Sequence, residues 1–510
     1  MVKYQSNAML KGNFPFALQR FLEMIPGLIS WNIILFLIWG SFVVPQLVAY
    51  FVLAFLIFWL YQSFKSAVLG ISGYCKIRQA KKTNWYRKYK IEKKNKKGWL
   101  PWEKIKHIII IPNVNESVEK LSENLDCLVK QKDINLHNLI VILAMEERAN
   151  GAHQKAKNLL KKYQGKFGKI IATFHPANIT GEIIGKASNE TWAAKKIKEL
   201  LIDKLQWKIN YLTLTSCDAD TCFHSKYFSA LSYYFAKSKH RYLRFWQSPI
   251  FWYNNLERVP APIRITGIIG GIIHIADLQQ PEKLLFNYSS YSSSLKLLND
   301  VGYWDTDIIP EDWHIFLQSF FAKKGRTLAE PIFLPTNIDA PEGKTYFGAL
   351  KNRYLQCQRH GWGATDIPYA IKQSCRHHEI PFLVKFLRIY KIVETHLIWS
   401  TNWFILTLGA SLPPLLNPKF FQTSLGYNLP KFSRLILTTC LLSLAVIILL
   451  DAKLRPKYKR EIPLWKKIIY PIQWVLMPVA SLFMSALPAL DAQTKLLIGK
   501  RLEYRVTEKY

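Results

Sequence analysis

The chain has 510 residues, half of them hydrophobic and 14% aromatic, with 69 Lys and Arg against 35 Asp and Glu for a net charge of +34. The apolar content excludes a disordered chain, and ordinary Gly, Pro and Cys usage excludes a collagen-like or disulfide-scaffold protein. High apolar content beside high positive charge suggests that the two are separated along the chain, as in a membrane protein with its bulk on the cytoplasmic side. Cys75, Cys127, Cys217, Cys222, Cys357, Cys375 and Cys440 are scattered, with no CxxC pair. Their odd number and wide spacing predict neither a zinc site nor a disulfide framework, and point to a reducing compartment.

After a cytoplasmic N-terminus (1–23), residues 24–64 carry no formal charge over 41 positions. A bilayer needs about 20 residues per helix, so this run is expected to form a transmembrane hairpin broken near Gly40, Ser41 and Pro45. Residues 65–106 read as a basic cytoplasmic linker, with thirteen Lys and Arg between 75 and 106.

The segments that follow alternate between two periods. Buried-strand runs lie at 107–112 (HIIIIP), 139–144 (LIVILA), 169–174 and 211–217 (YLTLTSC), and helical spacing occupies 116–131, 149–163 and 185–201. This alternation predicts an α/β domain over 107–340, with a mostly parallel sheet covered on both faces. Ligands in such folds bind beyond the carboxyl ends of the strands, which directs attention to 113–116, 145–148 and 218–220.

Asp218-Ala219-Asp220 follows the fourth strand run directly. Two carboxylates so spaced suit Mg2+ or Mn2+, which bind through one or two carboxylates plus substrate phosphates. Asp305-Thr306-Asp307 is a second copy without a preceding strand. Gly185-Lys186 stands near a helix start and offers an amide and an ammonium to a diphosphate; the surrounding GEIIGKA is not a P-loop. In Pro310-Glu311-Asp312-Trp313, Asp312 reads either as a general base or as part of an acidic helix N-terminus. Gln356, Arg359 and Trp362 read either as a phosphate clamp with a stacking indole or as an ordinary interfacial helix. The adjacent His377, His378 and Glu379 lack zinc-site spacing and read as solvated. Residues 265–275 (ITGIIGGIIHI) are too short to span and read as core or a membrane-facing surface. Residues 286–303 (FNYSSYSSSLKLLNDVGY) read either as acceptor-sugar contacts or as a Ser-rich loop.

Interfacial helices are expected over 341–394. Further charge-free stretches lie at 395–418, 435–450 and 468–490 within a transmembrane region of 395–490, the last interrupted by Pro471, Pro478 and Pro488 and expected to be re-entrant or broken. Seven Lys and Arg in 453–467, against Lys419 and Lys431 alone between 418 and 431, put the large middle region on the cytoplasmic side. Basic segments beside spans are explained by that bias and by anionic lipid, so no nucleic acid is expected as a partner.

In this order, IIIIPNVNE (109–116), GEIIGKASNETWAAK (181–195), SCDAD (216–220), PEDW (310–313) and QCQRHGW (356–362) resemble the membrane-integrated family 2 glycosyltransferases, the cellulose synthase and hyaluronan synthase-like superfamily. The tail over 491–510, ending YRVTEKY, is similar to that superfamily's gating loop. The resemblance implies a GT-A (Rossmann-like) cytoplasmic domain flanked by transmembrane helices in a multi-pass plasma (inner) membrane protein. It also implies inverting transfer of a sugar from a nucleotide-sugar donor, usually a UDP-sugar, to a glycan or lipid-linked acceptor, with Mg2+ or Mn2+. Under it, Asp218 contacts the nucleotide and, with Asp220, the metal. Asp312 is the base and Glu311 its neighbour. Pro112, Glu116, Glu146, Lys186, Gln356, Arg359, Trp362, Thr507 and Lys509 bind the nucleotide sugar. Glu146 stands where the family usually carries Asp, and the indole of QxxRW lies two places late, at Trp362. A non-catalytic membrane scaffold or transport-associated protein on a degenerate transferase fold is the alternative.

Overall fold

The computed structural model describes residues 15–94, 96–456 and 470–502. Thr507 and Lys509 lie outside the described residues.

Two long helices open the chain, α1 (Phe16–Val43) and α2 (Pro45–Lys82), broken at Val44. Pro45 causes the break: its ring disfavours helical geometry at Val44 and is itself tolerated in a first turn. A short helix α3 (Trp85–Lys93) then leads into the α/β domain.

That domain runs β1 (Lys106–Asn113), α4 (Val118–Val129), β2 (Leu139–Glu146), α5 (Ala152–Lys162), β3 (Lys169–His175), α6 (Lys186–Lys198), β4 (Leu212–Ser216), β5 (Cys222–Phe223), α7 (Tyr227–Lys237), β6 (Arg244–Gln247) and β7 (Ile250–Phe251). It continues with α8 (Ala261–Asp277), β8 (Tyr291–Ser294), α9 (Leu295–Asp300), α10 (Glu311–Ala322), β9 (Leu328–Pro331) and β10 (Thr336–Asn337). The main sheet has seven strands in the order β3-β2-β1-β4-β8-β6-β9. β3, β2, β1 and β4 are mutually parallel, and β8 is antiparallel to both its neighbours. A small second sheet has the order β5-β10-β7. The expected α/β class is therefore what the chain adopts, with a Rossmann-like parallel half.

Ile108, Ile109, Ile110 and Ile111 are all fully buried, alternating between the two faces of β1 and feeding two separate cores. That burial on both faces is why the run reads as continuous isoleucine.

The Ser-rich stretch is an element whose class was not evident from the sequence. It supplies β8, a buried strand near the middle of the sheet. Its hydroxyls find partners inside: Ser292 bonds Thr215 at 2.7 Å and Tyr227 at 2.9 Å, and Ser293 donates to the Arg244 carbonyl at 2.9 Å.

The cysteine expectation is corrected by the fold. Cys127 on α4 and Cys222 on β5 form a disulfide, because α4 packs over the small sheet. Their separation of 95 residues hid the pairing from a reading of spacing alone.

The remaining helices are α11 (Tyr346–Gly361), α12 (Asp366–Arg376), α13 (Phe382–Leu408), α14 (Ser424–Leu454) and α15 (Tyr470–Leu497). Among the described residues four helices are long and apolar enough to cross a membrane: α1, α2, α14 and α15. The charge-free stretch 395–418 is different. It is split between the end of α13 and two short proline-led helices, and α13 is not among the four. Lys385, Arg388, Lys391 and Glu394 in the first half of α13 leave too short an apolar run. The described part of the proline-containing segment begins α15, where the chain passes from 3-10 to α to π and back to α geometry within one continuous candidate span.

Candidate functional site

A cavity of about 530 Å³ opens beyond the carboxyl ends of β1, β2 and β4. Pro112, Glu116, Glu146, Lys186, Asp218, Glu311, Asp312, Gln356 and Arg359 line it. β1 delivers Pro112, β2 delivers Glu146, and β4 delivers Asp218 two residues past its end. Lys186 is the first residue of α6, and Glu311 and Asp312 open α10.

Lys186 organises the floor. Its ammonium lies 2.7 Å from Asp218 Oδ1 and 2.8 Å from Glu311 Oε1, and donates to the Ser289 carbonyl at 2.9 Å. Burial opposes its charge, but Asp218, Glu311 and Glu190 together raise its pKa well above the ordinary value. Glu190, one turn along α6 and fully buried, accepts from Ser216 Oγ at 2.6 Å. Burial pushes its carboxyl up to about 8 despite the ammonium nearby.

Asp312 is held from two sides. Its Oδ2 accepts from the Ser289 amide at 2.9 Å and its Oδ1 from its neighbour Trp313's amide at 2.8 Å. Burial, and next the charge of Glu311, push its pKa up to about 7, against the opposing pull of those amides and Lys186. A carboxylate that titrates near neutrality is suited to accept a proton at physiological pH. Ser289 links the two acids, since its hydroxyl donates to Asp218 Oδ2 at 2.7 Å.

The wall beside β1 and β2 is equally fixed. Glu116 accepts from the Val114 amide at 2.7 Å, and Lys155 donates to the Val114 and Glu116 carbonyls. Glu146 is buried, 3.2 Å from Arg148 and 3.4 Å from His175. Asn124 on α4 donates to the carbonyls of Asp218 and Ala219, which fixes the turn that follows β4.

Two sequence candidates fall off the lining. Asp220 is buried behind it, where Oδ2 accepts from the Asp339 amide at 2.8 Å; Asp339 itself reaches the cavity and pairs with Lys120 at 2.9 Å. Trp362 packs with Ile309, Ala364, Ala492 and Leu496 instead of facing the cavity, because it sits just past the end of α11, two places beyond the tryptophan position of QxxRW. The second acidic pair is structural: Asp305 lies 3.2 Å from His314. His377 pairs with Glu379 at 2.8 Å.

Three lining or supporting residues were not singled out by sequence. Arg353 is buried on α11 with its guanidinium 4.7 Å over the Trp252 ring, donating to Gln356 at 3.1 Å; its i, i+3 spacing from Gln356 was a usable signal. Glu190 stands i+4 from Lys186 on one helix face, again a legible spacing. Ser289 carried no signal, being one serine among several.

Among the described residues no group of three or more His, Cys, Asp or Glu is arranged to hold a metal ion. The Asp218 carboxylate on the lining is a hard oxygen donor of the kind that a cation shared with a diphosphate requires, and Asp220, two residues on, carries a second carboxylate that lies behind the lining.

No protein-family model and no curated protein matches the chain. Among solved structures it is similar to the mannosyltransferase PcManGT from Pyrobaculum calidifontis in complex with GDP-Man and Mn2+, at 14% identity and a TM-score of 0.42 over 86% of this chain and 100% of that one. It is also similar to GalNAc-T7 with UDP, GalNAc and Mn2+, at 12% identity and 0.34 over 57% and 58%. For S. aureus TarS the values are 11% and 0.30 over 70% and 57%.

Proposed function

We propose that this chain is a membrane glycosyltransferase with a GT-A-type domain, moving a sugar from a nucleotide sugar, of which a UDP-sugar is the leading candidate, to a glycan or lipid-linked acceptor with inversion. The observation that carries the reading is the placement of Lys186 between Asp218 and Glu311, beside an Asp312 that titrates near neutrality, in a cavity at the strand ends.

Asp312 takes the proton from the acceptor hydroxyl as its oxygen forms a bond to the sugar's anomeric carbon. The bond from that carbon to the diphosphate breaks on the opposite face, and its electron pair leaves with the nucleoside diphosphate. Lys186 stands where it meets that leaving charge, exchanging a carboxylate partner for phosphate oxygen. Glu311 and Ser289 keep Asp312 and Asp218 apart and oriented. Glu116, Glu146 and Pro112 face the nucleotide, and Gln356, Arg359 and Arg353 the acceptor and diphosphate side. Asp218 on the lining, with Asp220 behind it, would hold a Mg2+ or Mn2+, which would neutralise charge on the diphosphate. The catalytic domain is placed on the cytoplasmic side by the basic segments that flank the spans.

The test is nucleoside diphosphate release from purified protein across a panel of UDP- and GDP-sugars with Mn2+ or Mg2+. Release with one donor, dependent on the cation and lost in Asp220→Asn, is the expected result. Full cation-dependent release by Asp220→Asn would remove the metal assignment.

A further inference from the structure

The cavity has a second half that the proposed chemistry does not use. Its wall is one face of α8, presenting Thr266, Gly267, Gly270, Gly271, Ile273 and His274. The opposite face of the same helix packs on the candidate spans. Ile272 and Ile275 meet Gly70 and Gly73 of α2, where a side chain at Gly73 would strike Ile275, and Leu450 of α14 closes on Gly70. One helix, about 10 Å across with its side chains, therefore separates the cavity from the spanning bundle. Across the cavity, α13 adds Thr395, His396 and Trp399, which lie in the charge-free stretch of that helix.

The three glycines of this face differ in kind. A Cβ at Gly267 would lie 2.5 Å from the Trp252 ring and one at Gly271 would lie 2.9 Å from Phe251, so those two exist for close packing. A Cβ at Gly270 would meet nothing within 4 Å. Gly is unfavourable inside a helix, and here it holds space open in the cavity.

Several polar groups on this side are already bonded to protein, while His274 Nε2 and His396 Nδ1 are buried without a hydrogen-bond partner. Thr266 donates to the carbonyls of Pro262 and Ile263, Thr395 to that of Lys391, and the Trp399 indole to Ser485. A sugar chain lying here would find few partners for its hydroxyls, and unpaired buried hydroxyls are costly. An alkyl chain needs none.

We propose that the acceptor is carried on a single apolar chain that lies along the Gly270 face of α8, with its polar end at Asp312. This rests on the transferase reading above and names the acceptor class for that same site.

The test uses full-length protein in lipid nanodiscs, with alkyl phosphates and alkyl glucosides from butyl to hexadecyl as probes. The readout is the concentration giving half-effect on nucleoside diphosphate release, whether the probe accepts sugar or blocks the site. In wild type this concentration should fall with chain length, by up to about fourfold per methylene buried. Gly270→Leu, which fills the open space, should raise it about tenfold or more for long chains and little for butyl; Gly270→Ala should act in the same direction and more weakly. A thermal melt of each variant confirms that it folds. Equal chain-length dependence in wild type and Gly270→Leu would mean bilayer partition alone and overturn the proposal. So would dependence on neither chain, with free oligosaccharide active instead. UDP and GDP binding to the same wild-type nanodiscs separates the two readings. Nucleotide binding without chain-length dependence contradicts only the lipid acceptor, and no nucleotide binding removes the transferase reading as well.

Discussion

At the level of single residues, the site is a problem in placing charge. Four acids, Asp218, Glu190, Glu311 and Asp312, crowd around one ammonium, Lys186. Burial, and next the like charge of Glu311, push the Asp312 carboxyl up to about 7. Only the deprotonated form accepts a proton. Transfer measured as kcat/KM should therefore rise nearly tenfold per pH unit below 7 and flatten above it, leaving about a tenth of the plateau at pH 6. A profile flat from pH 5.5 to 8 would show that Asp312 is not the base. Much of this site was legible in sequence, because acids and a lysine directly after strands and at helix starts have few structural uses in common. Ser289 was not, since its role comes from the path of the backbone between β8 and α10. The positions of Asp220 and Trp362 were not legible either, because which side of a turn faces a cavity depends on neighbours hundreds of residues away.

At the level of elements, two ties hold the site's framework. His314 on α10 is buried between Asp366 on α12, at 2.7 Å, and Asp305, at 3.2 Å. Burial opposes its charge, but Asp366 and Asp305 raise its pKa to about 10 from an ordinary 6.5. Its contribution is thus fully present below pH 6.5 and is lost as pH rises toward 10. His314→Ala should cost about 3–5 kcal/mol, because it leaves the buried Asp366 without its counter-charge. The difference in melting temperature between variant and wild type should shrink as pH rises from 6.5 to 10; a difference that stays constant across that range would contradict the ion-pair account. The second tie is the disulfide between Cys127 and Cys222, on the helix whose Asn124 fixes the Asp218 turn. Cys127→Ser with Cys222→Ser should lower stability by about 2–4 kcal/mol, read as a lower melting temperature under non-reducing conditions. An unchanged melt would show that the bond does not stabilise the fold. The parallel strands were legible because buried β-strands are written in isoleucine, valine and leucine. β8 was not, because its polar serines find their partners in Thr215, Tyr227 and the Arg244 carbonyl, far from them in the sequence.

At the level of the whole molecule, the chain joins an α/β domain to helices long enough to cross a bilayer, and α8 is the joint. The span pattern was legible from length and charge for α1, α2 and α14, where the apolar runs are continuous. For 395–418 the stretch is split between the end of α13, whose preceding charges keep that helix out of the candidate spans, and two short proline-containing helices. The small residues Gly70 and Gly73 let α2 approach α8 closely, and buried polar contacts such as Ser30 with Ser400 and Gln493 hold α1, α13 and α15 together. The domain is thereby fixed against the bundle with its cavity facing both the strand ends and the spans.

The most direct test of the central claim compares wild type with Asp312→Asn in nucleoside diphosphate release, alongside nucleotide binding to both. The account predicts release from wild type with one donor sugar. It predicts a loss of about 100-fold or more in the variant, with nucleotide binding retained. Equal release from both proteins, or nucleotide bound by neither, would contradict it.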